Sequence, residues 1–137
     1  MPIPTIEVYS ADGTRQEVSQ QSPLPVTGGE GGMPMITISG TVAVTGPTQL
    51  VAAPGAGSRV VVSSFVLQNE SATATTIILQ AGTTNRWRIL GQNQGDGLAM
   101  AFSTGREWRL PANTALQIAL SGNNSCGYSI AYFVERI

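Results

Sequence analysis

From Arg59 to the C-terminus, the sequence is a series of short apolar runs separated by turn residues at intervals of roughly ten positions. This spacing limits the fold more than any other feature, because clusters of Gly, Asn and Ser end each run before a helix could complete three turns. No window of this region has a helical period. The pattern predicts an all-β fold, either an antiparallel β-sandwich or a barrel.

The longest run, RVVVSSFVLQN at residues 59–69, is apolar on both faces, which is typical of a central strand covered on both sides. The run at 115–120 alternates, with Leu116, Ile118 and Leu120 on one face. Together the runs predict about seven or eight strands in a domain spanning residues 47–137. The predicted strands are 49–53, 59–69, 75–81, 86–90, 98–102, 106–110, 115–120 and 128–137.

Residues 1–35 have a different composition, with five prolines and the glycine cluster TGGEGG. Proline and glycine at this density exclude a regular helix, so the segment is interpreted as an extended N-terminal arm. Ile3 to Tyr9 could add one strand within it. We expect the arm to contribute little to a compact core and to be either disordered or laid across a neighbouring molecule.

The stretch ITISGTVAVTG at residues 36–46 places its apolar residues at even positions on both sides of Gly40. One continuous strand that joins the arm to the sandwich, or forms a short stem, fits this phase; a hairpin with a three-residue loop at 39–41 is also permitted. The apolar edge requires cover, either from the sandwich or from the same strand in other copies. Its candidate interface residues are Ile36, Ile38, Val42 and Val44.

The composition argues against several classes of function. The chain has no histidine, one cysteine (Cys126) and eight scattered carboxylates without motif spacing, so we predict no enzyme, no cofactor and no metal site. A net charge of −1 favours neither a nucleic-acid nor a membrane partner. The N-terminal residues lack a signal-peptide pattern, which predicts synthesis in a cytoplasm. Cys126 is expected to be a small buried residue near a turn.

Two segments, RWR at 86–88 and REWR at 106–109, contain four of the seven cations. Strand alternation predicts that Trp87 fills the core while the flanking arginines face outward. The two segments are also candidates for hairpin neighbours. Three interpretations remain for these arginines: a solvated face, an interface with a partner's carboxylates or carbonyls, or a stacking site for sugars or nucleic acid. The candidate interface residues here are Arg86, Arg88, Arg106 and Arg109.

Three longer passages, FVLQNESATATTIILQAGTTNRW, LPANTALQIALSG and SIAYFVERI, resemble the small all-β modules of tailed-bacteriophage virion proteins. These include capsid decoration (cement) proteins and fibre or spike heads, and the resemblance covers about residues 59–137. ITISGTVAVTG is similar to the segments that often precede such modules. The resemblance implies a homotrimer with a jelly-roll-like sandwich. Long fibres of this kind carry many six-residue stem repeats, whereas this chain has at most two, ITISGT and VAVTGP.

The resemblance leads to one main hypothesis and two alternatives. The main one is a decoration protein on the capsid surface, made in the host cytoplasm, that binds the major capsid protein and stabilises the assembled head. The first alternative is a receptor-binding or fibre-tip module whose loops at 91–97 and 121–126 contact a cell-surface glycan. The second is a free bacterial lectin, although both tryptophans lie beside arginines and make a poor sugar platform.

Overall fold

The computed structural model describes residues 34–137, and predictions for the arm at residues 1–33 lie outside the described residues. Among the described residues there is no helix, and hence none long and apolar enough to cross a membrane. The strands, in chain order, are β1 (Ile36–Val42), β2 (Gly46–Val51), β3 (Ser58–Asn69), β4 (Thr75–Ala81), β5 (Thr84–Gly91), β6 (Gly97–Ala101), β7 (Trp108–Arg109), β8 (Leu116–Leu120) and β9 (Cys126–Arg136).

The strands form two antiparallel sheets. The five-stranded sheet has the order β1-β9-β3-β6, with the two-residue β7 also pairing with β3, and the four-stranded sheet has the order β2-β8-β4-β5. Most connections cross from one sheet to the other, which is the jelly-roll arrangement of two Greek keys. The predicted antiparallel, jelly-roll-like sandwich is confirmed, and the short β7 brings the described strands to nine.

The core lies between the sheets and is built from branched aliphatic side chains. Their alternation along β3, β4 and β8 places one face of each strand inward, where complete burial of each side chain stabilises the fold by about 1.5–3 kcal/mol. Fully buried members include Val60, Val62, Phe65 and Leu67 on β3, Ile77 and Leu79 on β4, and Leu116 and Ile118 on β8.

A β-bulge in β3 explains part of the pattern of apolar residues on both faces of this strand, and Val61, opposite Phe133 on β9, is fully buried on the face away from the core cluster. Its register against β9 shifts between Val62 and Ser64, so the inward positions change from even to odd numbers at this point. Val60 and Val62 face the core before the bulge, and Phe65 and Leu67 face it after the bulge. The bulge therefore keeps both halves of a twelve-residue strand packed on one core.

The eleven-residue strand predicted at 36–46 is only partly confirmed. The strand continues through Gly40, as predicted, but β1 ends at Val42, and β2 begins at Gly46 in the other sheet. Gly46 has φ +90°, a conformation that favours glycine and allows the chain to turn across the sandwich. β1 pairs with β9 along its whole length, so it belongs to the sandwich and does not form a separate stem.

Candidate functional site

Arg86 and Arg88 lie on β5, at an edge of the four-stranded sheet, and both side chains are exposed. Trp87 between them is half-buried and packs against the core, as predicted. Arg86 has no partner on β4, because the register of β4 and β5 shifts between Trp87 and Asn85. The guanidinium carbon of Arg86 lies 4.5 Å from the centroid of the Trp87 ring. This cation–π contact holds Arg86 against its own sandwich, whereas Arg88 extends from the outer face of the sheet.

The two arginine–tryptophan segments meet through their tryptophans. The rings of Trp87 and Trp108 are 6.3 Å apart between centroids and nearly perpendicular, at 84°. Phe65 and Phe102 each lie close to the Trp87 ring, with centroids 5.8 Å away. The prediction that the segments are hairpin neighbours is wrong, because β5 and β7 belong to different sheets. Arg88 on β5 and Arg109 on β7 consequently belong to different sheets of the sandwich.

Arg109 belongs to a charged network on the outer face of the five-stranded sheet. Arg59 Nε donates to Glu135 Oε2 at 2.6 Å, and Arg109 Nε donates to the same oxygen at 3.3 Å. Arg109 also donates to Glu107 at 3.2 Å. Burial raises the pKa of Glu135, but the hydrogen bonds and charges of both arginines outweigh it, and the net pKa is lowered. Arg106, in the preceding loop, is exposed.

The four apolar candidates near β1 divide into two pairs. Val42 is only 8 % exposed and lies in the core, and Ile38 packs against that core. Ile36, at the start of β1, and Val44, in the loop after it, remain 40 % and 62 % exposed. The sandwich itself therefore covers Val42 and part of Ile38, and Ile36 and Val44 present the larger exposed surfaces to a partner chain.

β1 is an open edge of the five-stranded sheet, since among residues 34–137 it pairs with β9 alone. The register runs unbroken from Ile36 opposite Tyr132 to Val42 opposite Cys126. Its sequence, ITISGTV, contains no charge and no proline, and β1 has no bulge against β9. Natural sheets usually protect an edge with one of these devices, so the backbone of β1 is suited to pairing with another strand.

On the outer face of the five-stranded sheet, β1, β6 and the adjoining halves of β3 and β9 present no charged side chain of their own, and the Glu70 carboxylate reaches over Gly127 at the loop end. Short side chains dominate this area, and Val66 is its large exposed apolar residue, with 48 % of its surface accessible. Cross-strand pairing assigns to this face Thr37, Ser39, Thr41, Ser64, Val66, Gln68, Ala99, Ala101, Ser129 and Ala131.

Four loops meet at one end of the sandwich, at residues 43–45, 70–74, 92–96 and 121–125. The Glu70 amide donates to the Ser125 carbonyl at 2.9 Å, and Gln94 Nε2 donates to the Glu70 carbonyl at 3.0 Å. The Thr45 amide donates to Asn123 Oδ1 at 2.7 Å. The loops at 91–97 and 121–126, which were predicted to contact a receptor, therefore lie at the same end.

Asn69 organises this loop end from a fully buried position at the end of β3. Its Nδ2 donates to the carbonyls of Thr73 (3.0 Å) and Gly91 (2.9 Å), and its Oδ1 accepts the Ser71 amide at 3.0 Å. Sequence reasoning identified Asn69 only as the end of a strand. The available signal was an Asn directly before a Ser/Thr turn, a position where its side chain often bonds to the backbone two residues on.

Cys126 is fully buried in the core, as predicted. Burial raises the pKa of its thiol, and the charge of Glu70 raises it further. Within residues 34–137, no three His, Cys, Asp or Glu side chains are grouped so that they could hold a metal ion.

No family model matches the chain. No curated protein matches its sequence. Among solved structures, the fold is similar to a chain of the virus-like particle of extra small virus from the giant freshwater prawn Macrobrachium rosenbergii, determined by cryo-EM. The TM-score is 0.44 at 9 % sequence identity, and the match covers 100 % of this chain and 97 % of that chain.

Proposed function

We propose that this chain is a non-enzymatic structural protein of a virion, specifically a capsid decoration protein that binds the assembled head as a homotrimer. The observation that carries this proposal is the uncharged, open edge of β1, which offers seven residues of backbone for pairing between copies. The sequence resemblance to phage virion modules indicates the kind of particle.

Pairing of another strand with the β1 edge would combine backbone hydrogen bonds with apolar side-chain contacts. A strand added beside β1 would satisfy its outward backbone N–H and C=O groups. Ile36 at the start of β1 and Val44 in the loop after it would lose exposed apolar surface in the same contact. No charged side chain of β1 would have to be desolvated, because β1 has none.

Decoration would stabilise the head by mass action. A protein that binds only the assembled lattice lowers the free energy of that lattice and leaves the free subunits unaffected. The arm at residues 1–35 would extend over neighbouring capsid subunits, while the sandwich remains on the outer surface. This division predicts that a chain without residues 1–32 still folds but binds capsids more weakly.

Co-sedimentation tests the proposal. Purified protein is mixed separately with capsids that lack it and with host cells, and the bound fraction is measured. Decoration predicts sedimentation with capsids. Binding to cells without binding to capsids would contradict it and would favour the receptor-binding alternative, which is supported by the grouping of the 91–97 and 121–126 loops at one end.

Light scattering tests the trimer and the β1 edge together. Ile36→Lys places a charge beside the proposed contact and should lower the trimer fraction. Val66→Lys, an equivalent change at an exposed apolar position on the central strand β3, should not affect it. A wild-type protein that is monomeric at micromolar concentration, both free and bound to the particle, would contradict the trimer.

A further inference from the structure

A depression of about 270 Å³ opens on the outer face of the five-stranded sheet, where β1, β9 and β3 approach the loop end. It is close to the lower limit of the roughly 300–1,000 Å³ typical of small-molecule sites. The residues that line it are Ser39, Gly40 and Thr41 of β1, Val66 and Gln68 of β3, Glu70, and Gly127, Tyr128 and Ser129 of β9.

The absence of a side chain at Gly127 shapes this depression. A Cβ atom on Gly127 would collide with the Glu70 carboxylate, so the absence of a side chain there lets Glu70 extend over β9. Gly40 faces the inner side of the sheet, where a Cβ atom on it would lie only 2.9 Å from the hydroxyl oxygen of its partner Tyr128, which packs against the core. Ser125 Oγ donates to Glu70 Oε1 at 3.2 Å and thereby orients the carboxylate.

The lining has the chemistry of a saccharide site. The hydroxyls of Ser39, Thr41 and Ser129 can both donate and accept hydrogen bonds, and the Gln68 amide and Glu70 carboxylate add planar polar groups. Val66 supplies apolar surface for the C–H face of a sugar ring. A phosphate or another anion would be repelled, because the lining contains one carboxylate and no cation.

We propose that this depression binds an uncharged sugar ring, whose hydroxyls donate hydrogen bonds to the Glu70 carboxylate and either donate to or accept from the Gln68 amide. The site is independent of the β1 edge contact, which uses backbone groups on the other side of that strand. It also does not depend on capsid attachment. A carboxylate acceptor makes the stronger class of hydrogen bond, so Glu70 should contribute most of the polar affinity.

Saturation-transfer NMR on the full chain tests the inference, with glucose, galactose, mannose and N-acetylglucosamine as separate probes. At least one sugar should receive saturation from the protein. Glu70→Gln should weaken its affinity by about tenfold, the value of a charge-assisted hydrogen bond. Asp96→Asn, which removes the same charge from a neighbouring loop outside the lining, should leave the affinity unchanged.

A steric variant provides a second, independent measurement. Ser39→Trp should fill the depression and abolish the transfer, whereas Thr37→Trp, at the next outward position of the same exposed strand, should not. Absence of transfer to all four sugars, or transfer that persists in Ser39→Trp, would overturn the inference. Argininamide binding in place of sugars would also overturn it and would indicate a site for a basic side chain. A protein that sediments with capsids but binds no sugar would retain the proposed function.

Discussion

Replacing Asn69 with alanine should destabilise the sandwich by about 3 kcal/mol. The side chain makes three hydrogen bonds to backbone groups, and each contributes a net of about 1 kcal/mol to stability. One of the three, to the Gly91 carbonyl, is a buried hydrogen bond, and loss of the Asn69 side chain removes this partner from the carbonyl. Against a total of roughly 5–15 kcal/mol for a typical domain, this is a large loss.

Urea unfolding followed by tryptophan fluorescence measures the effect, with Gln68→Ala as the control. Gln68 is the preceding residue on β3, but its side chain is exposed and makes one long hydrogen bond, 3.4 Å to the Gly95 carbonyl. Its replacement should change the stability by no more than about 0.5 kcal/mol. If Asn69→Ala costs less than about 1 kcal/mol, or no more than Gln68→Ala, the assigned role of Asn69 in ordering the loop end is refuted.

Three further predictions concern the charged network, the thiol and the aromatic cluster. Because folding lowers the pKa of Glu135, its contribution to stability is present above the unfolded pKa of about 4.3 and is lost as the pH falls through the lower folded pKa. Urea titrations from pH 6 to pH 2 should therefore show that acid destabilises Arg59→Gln less than the wild type. Burial raises the pKa of Cys126, so a water-soluble disulfide reagent should modify it rapidly in urea and hardly at all in buffer, and equal rates would contradict its burial. Trp108→Ala should lower the free energy of unfolding by about 3–5 kcal/mol. The control Arg88→Ala, at an exposed site, should lower it by no more than about 0.5 kcal/mol. Equal losses in the two variants would contradict the assigned packing of Trp108.

The sequence predicted the strands well wherever local alternation and turn residues agreed. The strand predicted at 75–81 coincides with β4, and that at 115–120 differs from β8 by one residue. In these segments, the side-chain period and the flanking turns give the same limits. The predicted strand at 106–110 is reduced to the two residues of β7, because only Trp108 and Arg109 pair with β3.

Errors arose where one residue changes the phase or direction of the chain. The bulge after Val62 moves the inward face of β3, and the conformation of Gly46 sends the chain into the other sheet. The bulge changes the parity of the inward residues, which the sequence pattern shows only as apolar residues on both faces, and the turn at Gly46 leaves the alternation of residues 36–46 unchanged. Periodicity alone therefore located neither event. The bulge becomes visible only in the register of β3 against β9, and the turn only in the positive φ of Gly46.

The candidate sites depend on contacts between distant segments, which explains why sequence reasoning found only part of them. Alternation was enough to place Trp87 inward, but the meeting of Trp87 with Trp108 depends on the order of strands in two sheets. The depression near Glu70 likewise combines β1, β3 and β9, which are brought together by the jelly-roll crossings. In sequence, Glu70 was only a turn residue after β3.

Cryo-EM of capsids mixed with the purified protein tests the proposed function most directly. Decoration predicts added density on the outer surface of the particle, in groups of three sandwiches, and loss of this grouping with Ile36→Lys. Particles that remain bare at saturating protein, while the same preparation binds host cells, would contradict the proposed function.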